Sequence, residues 1–335
     1  MLKKGLLLAF ATFGALGLLE LTVRITGLAP ETSLISVGRF RISDNPLIGY
    51  EPVPNYEYHG TALYFFEFRG KSNSLGFRDR EHSLQKPPGV YRIVVIGDSI
   101  TMGLQIDDHT EDVYTSVLES ALTRGGRDVE VINFGVSGYN TQQEVHTLAD
   151  KGIQFKPDLV ILAYCINDTE MMNGGIIDVL HGQAKAGKAI DQNQLIPYLH
   201  RSVLYRFVHS RLLSKQLNRD WDARQQQLGT DTVAESFALL HRLSDEHGFK
   251  VVVTVFPAVG FEEARYELPM RLSERERFAY FDLRNSFEQC ATREGKVSKD
   301  LMASRIHPNK LGHLCAGEAI SDFILQERMV DRIGN

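Results

Sequence analysis

A chain of 335 residues, 43% apolar and 24% charged, has the composition of a soluble globular protein and is long enough for one large domain or two ordinary ones. Its formal charge of −5 comes from interspersed acidic and basic residues, which excludes a basic stripe for nucleic acid and an acidic disordered arm.

The first element is an apolar run from Gly5 to Leu19, broken only by Thr12 and preceded by Lys3 and Lys4. That is the arrangement of a secretory signal or an N-terminal membrane anchor. The run is shorter than the ~20 residues that span a bilayer. The apolar pattern nevertheless continues through Leu21, Val23, Ile25 and Leu28, and Glu20 and Arg24 are spaced to pair on one helix face. The nearest small-residue cleavage candidate, Gly27-Leu28-Ala29, is followed by Pro30, a poor context for processing. An anchor over 1–30 is therefore expected in preference to a cleaved signal. With Lys3 and Lys4 on the cytoplasmic side, everything after residue 30 lies on the periplasmic or extracellular side.

Residues 31–90 read as a small β-rich extension, with a β-like piece at Ala62 to Phe68 and turn signals at Asn45-Pro46, Pro54-Asn55 and Lys86 to Gly89. Strand and helix then alternate. Strands are expected at Tyr91 to Ile96, Val129 to Phe134, Leu159 to Tyr164 and Phe249 to Phe256. Helices are expected at Asp112 to Leu122, Gln142 to Lys151, around Val233, Phe237, Leu240 and Leu243, at Glu274 to Cys290 and at Leu311 to Leu325. Such alternation implies a doubly wound parallel sheet whose site lies at the carboxyl ends of its strands. Residues 169–229 interrupt the pattern as an insertion. Within it Pro197 to Leu213 carries an apolar stripe (Leu199, Val203, Phe207, Leu212) beside Arg201, Arg206 and Arg211, which fits a packing helix, a lid or a membrane-surface segment equally.

Cys165, Cys290 and Cys315 are too few and too widely spaced for a disulfide framework and read as core thiols. The eleven histidines show no zinc-ligand spacing, so no metal is expected.

Three expected strands deliver polar, tight-turning segments to one sheet edge: Gly97-Asp98-Ser99, Asn133 to Asn140, and Cys165-Ile166-Asn167-Asp168. Each alone is ordinary strand-ending punctuation. Together they supply a nucleophile candidate, Ser99, and two donors for an oxyanion, the Gly138 N–H and the Asn167 amide. A loop histidine, His307, precedes the last helix in Arg305-Ile306-His307-Pro308-Asn309 and can serve as a base.

In these four blocks, over roughly Tyr91 to Leu325, the chain resembles the SGNH hydrolases, also called GDSL esterases and lipases. The resemblance implies a flavodoxin-like three-layer α/β/α sandwich. It also implies Ser99 as nucleophile, His307 as general base, and an oxyanion hole of Ser99 N–H, Gly138 and Asn167. The stretch Asn73 to Arg78 looks like a membrane-anchored branch of that family. Two departures stand out. Cys165 replaces the glycine of the third block, and Ser304 stands three residues before His307, where the family has an aspartate that orients the imidazole and offsets its charge. Asp300 or a main-chain carbonyl is the alternative partner for His307.

The expected function is hydrolysis of acyl esters, O-acetyl esters among them, outside the cytoplasm and without a cofactor. The expected partners are an acyl-ester or acetylated glycan substrate and the membrane, and nucleic acid is not expected. Alternatives are a polysaccharide O-acetyltransferase or deacetylase with the same site, and a catalytically weakened envelope carbohydrate-binding protein.

Overall fold

The computed structural model describes residues 2–26, 39–57, 71–169, 225–261 and 263–330, with a few single positions between 202 and 208. The chain opens with helix α1 (Leu2–Thr26), which runs without a break through Glu20, and Arg24 pairs with that carboxylate at 3.0 Å. Lys3–Thr26 is long and apolar enough to cross a membrane, about 36 Å at the helical rise, a property that anchors and signal sequences share. Among the described side chains, Phe10, Phe13 and Ile25 are exposed while Val23 is buried.

Strands β1 (Phe40–Ile42) and β2 (Tyr50–Pro52) form a small antiparallel sheet. The expected β-like piece at Ala62 to Phe68 lies outside the described residues, as does most of Pro197 to Leu213. Of that second segment, Ser202 Oγ and Leu204 N–H donate to Glu20 at the end of α1, each at 2.8 Å.

The body of the molecule is a five-stranded parallel sheet. Its strands are β3 (Tyr91–Gly97), β4 (Val129–Gly135), β5 (Leu159–Tyr164), β6 (Lys250–Val255) and β7 (Ala279–Asp282), in the spatial order β4-β3-β5-β6-β7. This is the flavodoxin-like order, in which successive connections leave β3 in opposite directions. Helices α3 (Tyr114–Arg124), α7 (Arg284–Arg293) and α8 (Lys310–Gln326) cover one face; α4 (Thr141–Asp150), α5 (Gln225–His247) and α6 (Ala264–Glu276) cover the other. Right-handed crossovers place α3 on one face and α4, α5 and α6 on the other. With helices on both faces, the central strands read as continuous apolar runs, and Ile93 to Ile96 and Leu159 to Leu162 are fully buried.

The structure departs from the sequence reading in three places, two element boundaries and one covalent link. The stretch Glu274 to Cys290, read as one helix, contains the end of α6, all of β7 and the start of α7. Arg277, in the left-handed conformation at φ 58°, stops α6, and Ala279 to Asp282 then pair with β6 alone. A four-residue, half-buried edge strand between two helices offers too little period-2 signal to separate from its neighbours. Next, α5 begins at Gln225, so Gln225 to Gly229 are helical where the insertion was expected to extend to 229. Third, Cys290 of α7 and Cys315 of α8 form a disulfide with Cα atoms 6.1 Å apart, which corrects the reading of three core thiols; only Cys165 is free. The two cysteines are 25 residues apart and meet only because α7 packs on α8.

On the chain-entropy estimate, a bridge closing 25 residues contributes about 3.5 kcal/mol. Reduction, or a Cys290→Ala/Cys315→Ala double substitution, is expected to lower the midpoint of thermal unfolding by roughly 5–10 °C. Identical melts with and without reductant would show that the bridge does not form in the protein.

Candidate active site

Strand β3 ends at Gly97, and the chain turns at once into a short helix, α2 (Ser99–Met102), capped by Asp98, whose Oδ1 accepts from Ile100 N–H at 2.8 Å. This turn sits at the carboxyl edge between β4 and β5, the switch point where ligands bind in open α/β sheets. It lies almost on the backbone of β4: a Cβ at Gly135 would be 2.2 Å from Met102 N, so only glycine admits α2 there.

Ser99 is 6% exposed, and its Oγ lies 2.8 Å from His307 Nε2. His307 belongs to a tight loop: Met302 and Pro308 form an antiparallel bridge, and Ala303 N–H and Ser304 N–H both donate to His307 O. The Ser304 hydroxyl oxygen is 2.9 Å from His307 Nδ1 and 3.1 Å from His307 N. With Ser99 donating to Nε2, the neutral ring carries its hydrogen on Nδ1 and donates to Ser304 Oγ. Thus Ser304 stands where the resemblance calls for an acid. Asp300 does not reach the ring; its carboxylate accepts from Val297 N–H at 3.1 Å and its carbonyl from Asn309 Nδ2.

Burial without a carboxylate partner holds the half-buried His307 imidazole down at about 4. His313, one turn into α8, is fully buried and lowered to about 3, first by burial and then by His307 and Arg78. Its Nδ1 accepts from Tyr114 N–H at 3.2 Å and its ring stacks on Tyr114, so it is a core residue.

Beside Ser99 the turn after β4 is fixed by Val136 N–H donating to Gly97 O at 3.0 Å, and it carries Gly138 at φ 81°. Asn140, in the same polar segment, caps α4 in a capping box with Gln143. After β5, Asn167 Nδ2 donates to Asp98 Oδ2 at 3.2 Å, while its Oδ1 is buried without a hydrogen-bond partner. The structure therefore brings Ser99, His307 and Ser304 into one hydrogen-bonded chain, with Gly138 and Asn167 on the adjacent turns. Cys165 is buried beneath Asn167, and burial pushes its thiol up.

Sequence reasoning left out a group of buried carboxyls below this edge. Asp98 is raised by burial, against the pull of Ile100, Asn167 and Ser99. Glu144 of α4 is raised well above the carboxylate range by burial and then by Asp168 and Asp98. Asp168 accepts from Thr141 Oγ1 at 3.0 Å. Glu144 sits on a helix whose apolar pattern gives no hint that an acid points inward. Among the described residues, no group of three or more His, Cys, Asp or Glu is disposed to hold a metal.

Residues 95–314, about two thirds of the chain, match the GDSL-like Lipase/Acylhydrolase family. The chain belongs to that family. An arylesterase of Vibrio mimicus is 36% identical over 77 residues, 23% of this chain and 38% of the arylesterase, so the match spans well under half of that relative. Among solved structures, an acetyl xylan esterase is 17% identical with a TM-score of 0.42, covering 70% of this chain and 98% of the other. A lipase/acylhydrolase from Enterococcus faecalis is 18% identical with a TM-score of 0.44, covering 71% and 96%.

The depressed His307 and His313 values tie stability to pH. Above 6.5 neither folded nor unfolded chain binds the extra protons; below it the unfolded chain takes them up first. Stability is therefore full above pH 6.5 and declines as pH falls toward about 4 and 3, by up to about 3 kcal/mol for His307. NMR titration of the ring protons is expected to place His307 near 4, and Ser304→Asp to raise it, because a carboxylate beside Nδ1 favours the imidazolium. An unmoved value in the variant would mean that residue 304 does not face the ring in solution.

Proposed function

We propose that this GDSL-family protein is a serine ester hydrolase acting on acyl esters, O-acetyl esters of glycans among them. The supporting observation is the continuous relay Ser99 Oγ, His307 Nε2, His307 Nδ1, Ser304 Oγ, with links of 2.8 and 2.9 Å. In this reading Ser99 attacks the acyl carbon as His307 takes its proton. The ring then returns that proton to the leaving alcohol, and water repeats the cycle on the acyl-enzyme. The developing oxyanion is held by Ser99 N–H, Gly138 N–H and the Asn167 amide.

Ser304 keeps the imidazole in the productive tautomer but contributes no charge. Replacing the acid of a triad by a neutral group costs about 10⁴-fold, part of it from the wrong tautomer, which Ser304 avoids. The native enzyme is therefore slow, with a weak base whose acid limb lies near pH 4 rather than 6.5. Catalysis is assigned to residues 91–325, preceded by an anchor in 1–30 and an extension in 31–90. An exported location is supported by the apolar α1 and by the Cys290–Cys315 bridge, since disulfides persist in oxidising compartments.

Purified protein is expected to hydrolyse p-nitrophenyl acyl esters and to be labelled by a fluorophosphonate at Ser99, with Ser99→Ala abolishing both. Asn167→Ala is expected to lower kcat by about 10²-fold to 10³-fold. Lack of labelling at Ser99 would favour the binding-protein reading, and acetyl transfer to a sugar in preference to acetate release would favour the transferase. Ser304→Asp is expected to raise kcat/KM at pH 7 to 8 by roughly tenfold, about 1.4 kcal/mol of barrier. An unchanged rate would show that the missing charge does not limit turnover.

For the anchor, full-length protein is expected to remain with membranes after an alkaline carbonate wash. A shortened soluble form would identify α1 as a cleaved signal.

A further inference from the structure

The extension preceding the family-matched residues reaches the turn bearing Gly138 through Tyr50. Tyr50 of β2 is fully buried, and its hydroxyl donates to Ser137 O at 3.2 Å. That carbonyl belongs to the same peptide unit as Gly138 N–H. The peptide is trans, so its carbonyl and N–H point in opposite directions, and a donor anchoring one end fixes the aim of the other. Gly138 N–H makes no hydrogen bond among the described residues. The turn bearing it is held against Gly97, one residue before Asp98, by the Val136 N–H to Gly97 O bond.

We infer that Tyr50 is a positioning residue of the oxyanion hole: its hydroxyl holds the Ser137–Gly138 peptide so that Gly138 N–H faces the reacting oxygen. This rests on the reading of Gly138 as an oxyanion donor. Three features set the tyrosine up for the task. Its ring is wedged edge-on between Phe40 and Tyr139, at centroid distances of 5.0 and 5.3 Å. Its backbone is tied to the same turn from the other side, since Tyr139 OH donates to Tyr50 O at 2.6 Å, and the turn just before it is held to α4 by Gln143 Nε2 donating to Ile48 O at 2.7 Å. Finally, a Cβ on Gly138 would lie 2.9 Å from the Tyr50 hydroxyl oxygen, so that hydroxyl closes the side of the turn where a side chain would project. Burial raises the phenol's pKa, so it stays protonated and remains a donor. A bond accepted at the carbonyl also polarises the peptide and strengthens its N–H as a donor.

The test is Tyr50→Phe in the full-length chain, which removes one oxygen and keeps the ring packing. The Gly138 N–H is misaimed but still present, so the loss should be smaller than the 10²-fold to 10³-fold of a deleted donor. We expect kcat lower by roughly tenfold with KM nearly unchanged, the signature of an interaction made only in the transition state. Affinity for an alkylboronic acid, whose adduct on Ser99 places an oxygen in the hole, should fall by about the same factor. Wild-type kcat and boronate affinity in the variant, with only the melting temperature lowered, would make Tyr50 a packing residue and overturn the inference. Fluorophosphonate labelling of wild-type Ser99 separates the two failures: no labelling overturns the hydrolase reading and this inference together, whereas full labelling with a fully active Tyr50→Phe overturns this inference alone. Should Tyr50→Phe not fold, 3-fluorotyrosine at position 50 keeps the ring and makes the hydroxyl a stronger donor. An increased kcat is then expected, and an unchanged or lower one overturns the inference.

Discussion

Everything about the site follows from burying a parallel sheet on both faces. Ile93 to Ile96 and Leu159 to Leu162 have no solvent side, so along these strands a reactive group can appear only where each strand ends. Because β3 lies between β4 and β5 and its connections depart in opposite directions, a crevice opens at their carboxyl ends. Ser99, Gly138 and Asn167 follow these three neighbouring strands, so convergence is a property of topology before it is one of side chains. Gly135 completes the geometry by allowing α2 to rest on the β4 backbone, which sets the height of Ser99 at the edge.

That topology explains which parts were legible in the sequence. Buried strands announce themselves as apolar runs, and the expected Leu159 to Tyr164 coincides with the strand found. The GDSL-type blocks are local, so Ser99, Asn167 and His307 could be singled out as candidates, and the structure places Ser99 Oγ 2.8 Å from His307 Nε2. What could not be read depends on contacts distant in sequence. β7 is short, half-buried and paired on one side, and its four residues merge into the helical patterns around it. The Cys290–Cys315 bridge exists only through the docking of α7 on α8. Tyr50 meets Ser137 across a sequence separation of 87 residues, and no local pattern marks it.

In the proposed relay, Ser304 separates two jobs that an aspartate performs at once. Orientation survives, because a hydroxyl oxygen can accept the Nδ1 hydrogen and the His307 backbone N–H together. Charge compensation does not, and burial sets the affinity of His307 for its proton. The molecule does not lack carboxylates nearby, since Asp98, Glu144 and Asp168 lie buried below the crevice. Asp98 instead accepts from Asn167 and Ile100, and Glu144 is held toward its neutral form by burial and the other two acids. These acids lie among the strand ends and α4 while His307 approaches from the loop before α8, so none substitutes for the missing partner at Nδ1.

The segment before β3 is coupled to the site by more than Tyr50. Phe77 packs on Phe134 of β4 with centroids 4.3 Å apart, joining the extension to the sheet core. Arg78, only 2% exposed, donates to the carbonyls of Met102, Gly103, Ile106 and Asp107, the loop leaving α2. A buried guanidinium is costly unless its donors are engaged, and these four carbonyls accept from both of its Nη atoms. The loop cannot shift away without stranding that charge, so Arg78 penalises any displacement of the backbone behind Ser99. Tyr50 acts on the opposite side of the crevice, at the turn after β4. The two side chains hydrogen-bond to backbone segments on either side of Ser99, and both come from residues that precede the family-matched region. The stretch before β3 is therefore hydrogen-bonded to the backbone on both sides of Ser99, through Arg78 at the loop leaving α2 and through Tyr50 at the turn bearing Gly138.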